Sequence, residues 1–442
     1  MAQPAAGNNI TVQKGINWSP LIKLEDWWAV WFGFILIILA ASGIITKIPG
    51  IAKWTSLGQA LPAAIWPQLL LLLVGLGILT AIGVKAMGEN VGKYLGGFVA
   101  VFILAVVAQL LASHNISKSY NLEVPLWGLI VGLIISNTLR TPGWVRPAVK
   151  TEMFIKTGLV LLGCEILFNR IVALGVPGLV VAWVGCPIVL IFTYWFGVKL
   201  MKLKPELAMT MSAAASVCGV SAAIATGAAC DADKEEVSVA ITISLIFTVI
   251  MLVVMPLFIM GINMDPDVGA AWIGGTIDAT GAVVAAGAFL GQRGLEVASV
   301  VKMVQNVLIG VVAFFVALIW ATRMGGSSDA VGEARAKVIW DRFPKFVLGF
   351  VAASLLFSFI LVPTMGAKSV DGVVKLTSGL RGWLFAMAFV CIGLEANFRD
   401  LLKQVQGGKS VLQYIIGQLF NVVLTLFLAW LAFGGILFPK AM

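Results

Sequence analysis

Residues 211–236 read MSAAASVCGVSAAIATGAACDADKEE. In a chain otherwise full of Leu, Val, Ile and Phe, this run is Ala, Ser and Gly, and it ends in a burst of charge. Its side chains are too small to anchor a helix in lipid and too apolar for a surface loop. Irregular backbone at membrane depth is tolerated only where it packs in protein or lines a cavity. A second run of the same texture, GGTIDATGAVVAAGAFLG, covers 274–291. Both carry polar residues at their centres, so the segments 206–230 and 267–291 are predicted to be broken or re-entrant helices.

The surroundings supply the membrane. Of the residues, 60% are apolar and 12% are charged, and the mean hydropathy is +1.01; a soluble domain carries about 25% charged residues. Thirteen apolar segments lie between 27 and 437, many near the ~20 residues a spanning helix needs. The fold class expected is an all-α polytopic membrane protein, with about 11 spanning helices plus the two broken segments and inverted repeats. The longest polar gap, Thr322 to Pro344, is too short for a soluble domain. Residues 1–26 read as a cytoplasmic tail, because Glu25 and Asp26 precede WWAVWFGFILIILAASGIIT without the pattern of a cleavable signal.

Composition also excludes. The net charge of +9 fits basic loops that orient a polytopic protein better than a nucleic-acid partner. The five cysteines form no CxxC pair and His114 stands alone, so disulfides, a metal site and a cofactor are not expected. There is no phosphate-binding GxxxxGK[ST] motif and no nucleophile–base pair, so an ATP-driven pump and an enzyme are set aside.

Charge then orders the chain. If the loop with Arg140, Arg146 and Lys150 is cytoplasmic, two segments return the chain to Lys199, Lys202 and Lys204, again inside. A full crossing by 206–230 would place the acidic loop of Asp265 and Asp267 inside; re-entry places it outside. With both small-residue segments re-entering, the inner loops and tail hold 19 Lys and Arg and the outer ones 9. Two crossing, unwound helices are the alternative.

Internal matches agree with inverted repeats. GCEILFNR (163–170) matches GLEANFRD (393–400) at Gly163/Gly393, Glu165/Glu395 and Phe168/Phe398. AAIATGAA (222–229) matches AVVAAGAF (282–289), and Glu236/Glu296 and Val237/Val297 continue the register. The offsets are 230 and 60, so the repeat is permuted.

The run VCGVSAAIATGAACDADKEEVSVAI, followed by PLF, resembles the signature of the sulfate exporter family of YeiH-like membrane proteins. GLVLLGCEILFNRIVALGVPGLV, VAAGAFLGQRGLEVASVVKMVQNVLIG, PKFVLGFVAASLL and GLRGWLFAMAFVCIGLEANFRDLLK look like its other segments, in order. The resemblance covers roughly 125–437. It implies the cation–proton antiporter and anion transporter superfamily, with broken helices meeting at the membrane midplane. It also makes 27–113 an N-terminal addition of transmembrane helices to a transporter core at 114–442. This chain departs from the family pattern. Where His-Glu and a nearby Gln are usual it reads Thr276, Ile277, Asp278, Ala279, Thr280, Gly281 and Ala282, and Gln305 stands where an Arg is usual after the Lys of the next helix.

A broken helix offers N–H groups and a favourable dipole to an anion, whereas its carbonyl ends suit Na⁺. Ser216, Cys218, Gly219 and Ser221 fall near the first break, and Thr276, Thr280 and Gly281 near the second; these are the candidate substrate-binding residues. Small residues also serve plain helix packing. Asp278 is the candidate ion carrier, since an ionisable group at membrane depth is costly and usually functional. Lys302 can pair with Asp278, face the anion or snorkel. Glu165 and Glu395 read as caps near helix ends, and Lys156 as a snorkelling residue. Asn137, Gln305, Asn306, Gln418 and Asn421 read as interhelical hydrogen-bond partners, DADKEE as a solvated turn, and Trp27, Trp28, Trp127, Trp320 and Trp383 as interface anchors. The function expected is secondary active transport of a small inorganic or organic anion by alternating access, coupled to H⁺ or Na⁺, in the lipid bilayer of a bacterial inner membrane, with a homodimer as an oligomeric option. The alternative is a cation–proton antiporter in which Asp278 carries the ion.

Overall fold

The computed structural model describes residues 19–119, 122–323, 340, 343–399 and 408–440. Residues 1–18 of the expected tail, and most of the basic loop after Thr322, lie outside them. Among the described residues there is no strand, and eight helices are long and apolar enough to cross a membrane.

The chain runs between two ends of the bundle. Three N-terminal helices, α1 (Glu25–Ala41), α2 (Trp66–Ala86) and α3 (Val91–Ser113), lead into α4 (Val124–Thr138), α5 (Thr151–Leu162) and the long α6 (Phe168–Leu200). Next come α7 (Pro205–Ser216) and α8 (Gly219–Ala229), then the crossing helix α9 (Lys234–Gly261). A second short pair follows, α10 (Pro266–Thr276) and α11 (Thr280–Phe289). The rest is α12 (Gly291–Asn306), α13 (Leu308–Arg323), α14 (Lys345–Met365), α15 (Ala367–Glu395) and α16 (Gly408–Phe433).

Both short pairs enter and leave at one end. Cys230 Sγ, just past α8, lies 3.7 Å from Glu206 O and 3.8 Å from Thr210 Oγ1 in the first turns of α7. Lys204 before α7 pairs with Glu236 at the start of α9, 3.4 Å away. At the other end, Arg293 grips Asp267 bidentately at 2.8 and 2.7 Å, joining the start of α10 to the residues after α11. The arms α7 and α8 pack on each other, whereas α12 packs against both α10 and α11 and lies between them. Local chemistry starts these elements. Pro205 and Pro266 occupy first-turn positions where no N–H is needed. Asp265 accepts from Asp267 N at 3.0 Å, a cap on α10. In DADKEE, Asp233 and Glu236 form a capping box on α9, so that run is a helix start and not merely a solvated turn.

The inverted repeat is visible in the packing. Gly163 after α5 approaches α14 so closely that a methyl there would run into Phe350 O; Gly393 in α15 approaches α4 in the same way at Leu129 O. Phe168 N donates to Ser358 Oγ at 2.9 Å, and Phe398 N donates to Asn137 Oδ1 at 2.9 Å. Ser354 Oγ donates to Ile166 O, and Ser136 Oγ to Ala396 O. Thus α4, α5, α6, the α7/α8 hairpin and α9 correspond to α14, α15, α16, the α10/α11 hairpin and α12–α13. The second half begins at its hairpin, which is why two sequence offsets coexist. Helices α4, α5, α14 and α15 form a panel that packs with α1 and α3; the two hairpins, α6, α9, α12, α13 and α16 form a core.

Several expectations change. Lys156 does not snorkel but pairs with Asp26 of α1 at 2.7 Å, a partner its charge finds before solvent does. Trp383 and Trp320 are buried instead of anchoring an interface; Trp383 Nε1 donates to Pro49 O at 2.8 Å. Glu165 is more than a cap: it forms a bidentate pair with Arg381 of α15 at 2.7 and 2.9 Å.

Candidate functional site

The tips of the two hairpins meet in the middle of the core. At the first, Val217 and Cys218 interrupt the helix between Ser216 and Gly219. At the second, Ile277, Asp278 and Ala279 interrupt it between Thr276 and Thr280. Gly219 N donates across the gap to Asp278 O at 2.9 Å. A side chain at Gly219 would overlap Ser244 Oγ of α9, so the contact needs glycine.

The carbonyl ends of α7 and α10 would be left unsatisfied by helix geometry. Three side chains cover them in pairs. Lys302 Nζ donates to Val217 O at 2.7 Å and Ile277 O at 2.9 Å. Gln305 Nε2 donates to Ser216 O and Gly275 O, each at 3.1 Å. Asn421 Nδ2 donates to Ala215 O at 3.0 Å and Thr276 O at 3.4 Å, and Gln418 Nε2 adds a bond to Thr276 O at 3.1 Å. Each of the first three bridges one hairpin to the other.

The opposite polarity stays open. The N–H groups of Val220 and Ser221 in α8, and of Thr280, Gly281 and Ala282 in α11, have no carbonyl in their own helices. These first turns converge from opposite directions, so two positive dipole ends face one region. Ser216 Oγ and Asn306 Oδ1 are buried there and have no hydrogen-bond partner among the described residues.

The predicted residues separate by environment. Ser216, Cys218, Gly219, Thr276, Thr280 and Gly281 are buried at the tips. Thr276 Oγ1 is 2.5 Å from Thr425 Oγ1, and Thr280 Oγ1 accepts from Asn306 Nδ2 at 3.0 Å, so both hydroxyls already have partners. Ser221 is exposed, whereas Gly281 is closed over by Ile155 and Ile392 of the panel. Asp278 is buried and accepts a hydrogen bond from the Tyr414 hydroxyl of α16. Lys302 is fully buried, and its direct contacts are not with Asp278, which acts on it only through space. Its three donors are taken by the two break carbonyls and by Gln305 Oε1 at 2.6 Å. Of the three options for Lys302, pairing with Asp278, facing the anion or snorkelling, the direct pair is not formed, because the orphan carbonyls of the two breaks hold the ammonium.

Sequence reasoning missed Tyr414, Ser244 and Thr425. Tyr414 is one aromatic among many; its signal was the polar spacing of Tyr414, Gln418, Asn421 and Thr425 along one helix face. It also missed Arg381 and Gln292. These line a cavity of about 720 Å³ at the non-basic end, with Glu123, Met264, Gly291 and Leu295. There Gln292 of the core touches both members of the panel's ion pair, Glu165 Oε2 at 3.0 Å and Arg381 Nη2 at 3.3 Å. No group of three or more His, Cys, Asp and Glu able to hold a metal is present among the described residues.

A family model described as "Conserved hypothetical protein 698" matches residues 96–429. The chain is similar to a UPF0324 membrane protein of Nitratidesulfovibrio vulgaris, 52% identical over 84% of this chain and 64% of that protein. A UPF0324 membrane protein of Rhodopirellula baltica is 51% identical over 86% of this chain and 70% of its own length. One from Nitrosomonas europaea is 28% identical over 96% and 98% of the two chains. The chain therefore spans roughly two thirds of the first two relatives, at 64% and 70%. No solved structure matches.

Proposed function

This chain belongs to the UPF0324 membrane protein family, and we propose that it is a secondary active transporter of a small anion, moved by alternating access of the core against the panel. The observation that carries the reading is the polarity of the two breaks. Their carbonyl ends are covered by Lys302, Gln305, Gln418 and Asn421, while the N-terminal turns at Gly219 and Thr280 keep open donors toward a common point. Such donors bind an oxyanion at little reorganisation cost. Sulfate or a sulfonate-related anion is the candidate class, following the sequence resemblance.

Coupling follows from Asp278. An anion arriving beside a buried carboxylate repels it unless the carboxyl is protonated. Anion and proton would then be carried together, with Tyr414 orienting the group that holds the proton. The basic end is cytoplasmic in this reading, and the membrane is the bacterial inner membrane.

A second reading draws on the same carboxylate. The Asp278 carboxyl accepts from Tyr414 and feels Lys302 only through space, so it is a candidate to carry an ion in a cation–proton antiporter. Counterflow in proteoliposomes separates the two. Sulfate, sulfite, sulfonates and carboxylates are screened with and without a pH or Na⁺ gradient. Accumulation of one anion class supports the carrier. Proton–cation exchange with no anion uptake would replace it with the antiporter.

A further inference from the structure

We propose that Lys302 is a tethered monovalent cation, filling by itself the site between the two helix breaks at which such a fold would otherwise hold Na⁺. Unwound carbonyls and half-helix C-terminal ends are the ligands expected for a coupling Na⁺. Here those oxygens exist and converge, from Val217 and Ile277 at equivalent places in the two hairpins, joined by Gln305 Oε1. The ammonium sits at 2.7, 2.9 and 2.6 Å from the three. An ammonium has three donors and no acceptor, so the set is saturated. The group is fully buried, so water does not share the charge. All three of its direct partners are carbonyl or amide oxygens, whose dipoles stabilise the cation as they would a metal ion, while Asp278 acts on it only through space.

The consequence concerns coupling, and for that step alone it rests on the anion-carrier reading. A cation fixed to α12 moves with the core and is never released. It compensates the charge of a bound anion in every state but carries no ion gradient. Na⁺ then has no vacancy to enter, and the driving ion is the proton. Gln305 helps hold this arrangement, because the amide that accepts from Lys302 also donates to Ser216 O and Gly275 O.

The test uses the purified full-length protein and Na⁺ as the probe, with no transported anion needed. Melting temperature is measured in matched NaCl, KCl and choline chloride for the native protein, Lys302→Ala, Lys302→Gln and Lys302→Arg. The native protein and Lys302→Arg should melt at the same temperature in all three salts and bind no ²²Na⁺. Lys302→Ala opens the oxygen cage; it should melt lower in choline and regain roughly 2 °C or more in NaCl. If Lys302→Ala cannot be recovered, Lys302→Gln, whose amide still donates to one carbonyl, should show the same Na⁺ response at smaller amplitude. Saturable ²²Na⁺ binding or Na⁺ stabilisation of the native protein that persists in Asp278→Asn would overturn the proposal. So would folded Ala and Gln variants that are both indifferent to Na⁺. Failure of the anion-carrier reading shows itself in the counterflow screen, and Na⁺ carried at Asp278 in its place would appear as a Na⁺ response of the native protein that Asp278→Asn abolishes while the responses of Lys302→Ala and Lys302→Gln remain.

Discussion

Ser221 and Gly281 occupy the same place in the two hairpins, sixty residues apart, yet Ser221 is exposed while Gly281 is closed over by Ile155 and Ile392 of the panel. The difference runs along the helices. Ser221, Ile224 and Ala228 of α8 are exposed, whereas their counterparts Gly281 and Val284 of α11 are buried. One hairpin is packed against the panel and the other is not. Under the proposed alternating access, the packed α11 makes the end of the Arg381 cavity the shut one and the unpacked α8 makes the basic end the open one. The repeat maps Ile155 and Ile392 onto Phe385 and Leu162. Exchange of the two states should bring Ser221 to Leu162 and release Gly281. In a cysteine-free background, Gly281→Cys with Ile392→Cys should cross-link in the resting protein. Ser221→Cys with Leu162→Cys should cross-link only when the transporter is cycling. Absence of the second cross-link under turnover would contradict alternating access built on this symmetry.

The latch at the shut end gives a second expectation. Gln292 joins the core to the Glu165–Arg381 pair, which itself lies within the panel. Gln292→Ala should leave the pair intact and weaken only the closure, so a cysteine at Gly281 becomes reactive to a membrane-impermeant maleimide from the non-basic side. Arg381→Met is different in kind. It leaves Glu165 buried without its cation, a loss of about 3–5 kcal/mol in well-buried cases. Thermal unfolding should drop clearly for Arg381→Met and hardly at all for Gln292→Ala.

Close approach at the tips sets a third. At Gly219 a methyl would overlap Ser244 Oγ, whereas at Gly281 it would lie 3.3 Å from Ile155 Cγ1 and 3.4 Å from Ile392 Cδ1. Gly219→Ala should cost about 1–3 kcal/mol through overpacking and break the bond to Asp278 O. Gly281→Ala should fold almost normally and slow exchange, because the isoleucines can give by a few tenths of an ångström. Melting curves and counterflow rates on the two variants check the order; equal effects would show that the tips are not packed as described.

Topology was legible because charge and residue size both bear on it. The small-residue texture of 206–230 and 267–291 marked the breaks, and the lack of Lys and Arg around Asp265 favoured re-entry over two unwound crossing helices. Two cysteines check the sidedness: Glu235→Cys should label from the cytoplasm and Asn263→Cys from outside. The permutation was visible only as two unrelated offsets, since nothing in a string says where a repeat begins. The partner of Lys302 was not legible either. Its choice between Asp278 and two backbone carbonyls depends on which orphan groups the breaks create, and backbone carbonyls have no letter in the sequence. Tyr414 escaped for a related reason, because its partner Asp278 lies 136 positions away.

Asp278 and Tyr414 carry the last prediction. With Lys302 engaged by carbonyls, Asp278 is not half of an ion pair, so neutralising it strands no buried charge. Asp278→Asn should therefore fold and melt close to the native protein, and Lys302→Met should not be needed to rescue it. The asparagine still accepts from Tyr414, but it neither takes up nor releases a proton. Anion exchange down a gradient should continue, while accumulation driven by a pH gradient is lost. Tyr414→Phe removes the donor and keeps the carboxyl. It costs about 1–3 kcal/mol where a buried acceptor is left unsatisfied, and it should slow proton-driven uptake, because the carboxyl is no longer oriented by the hydroxyl. A stable Asp278→Asn protein with full proton-driven accumulation would remove Asp278 from the coupling path. An Asp278→Asn protein that fails to fold would mean that its charge is structural after all.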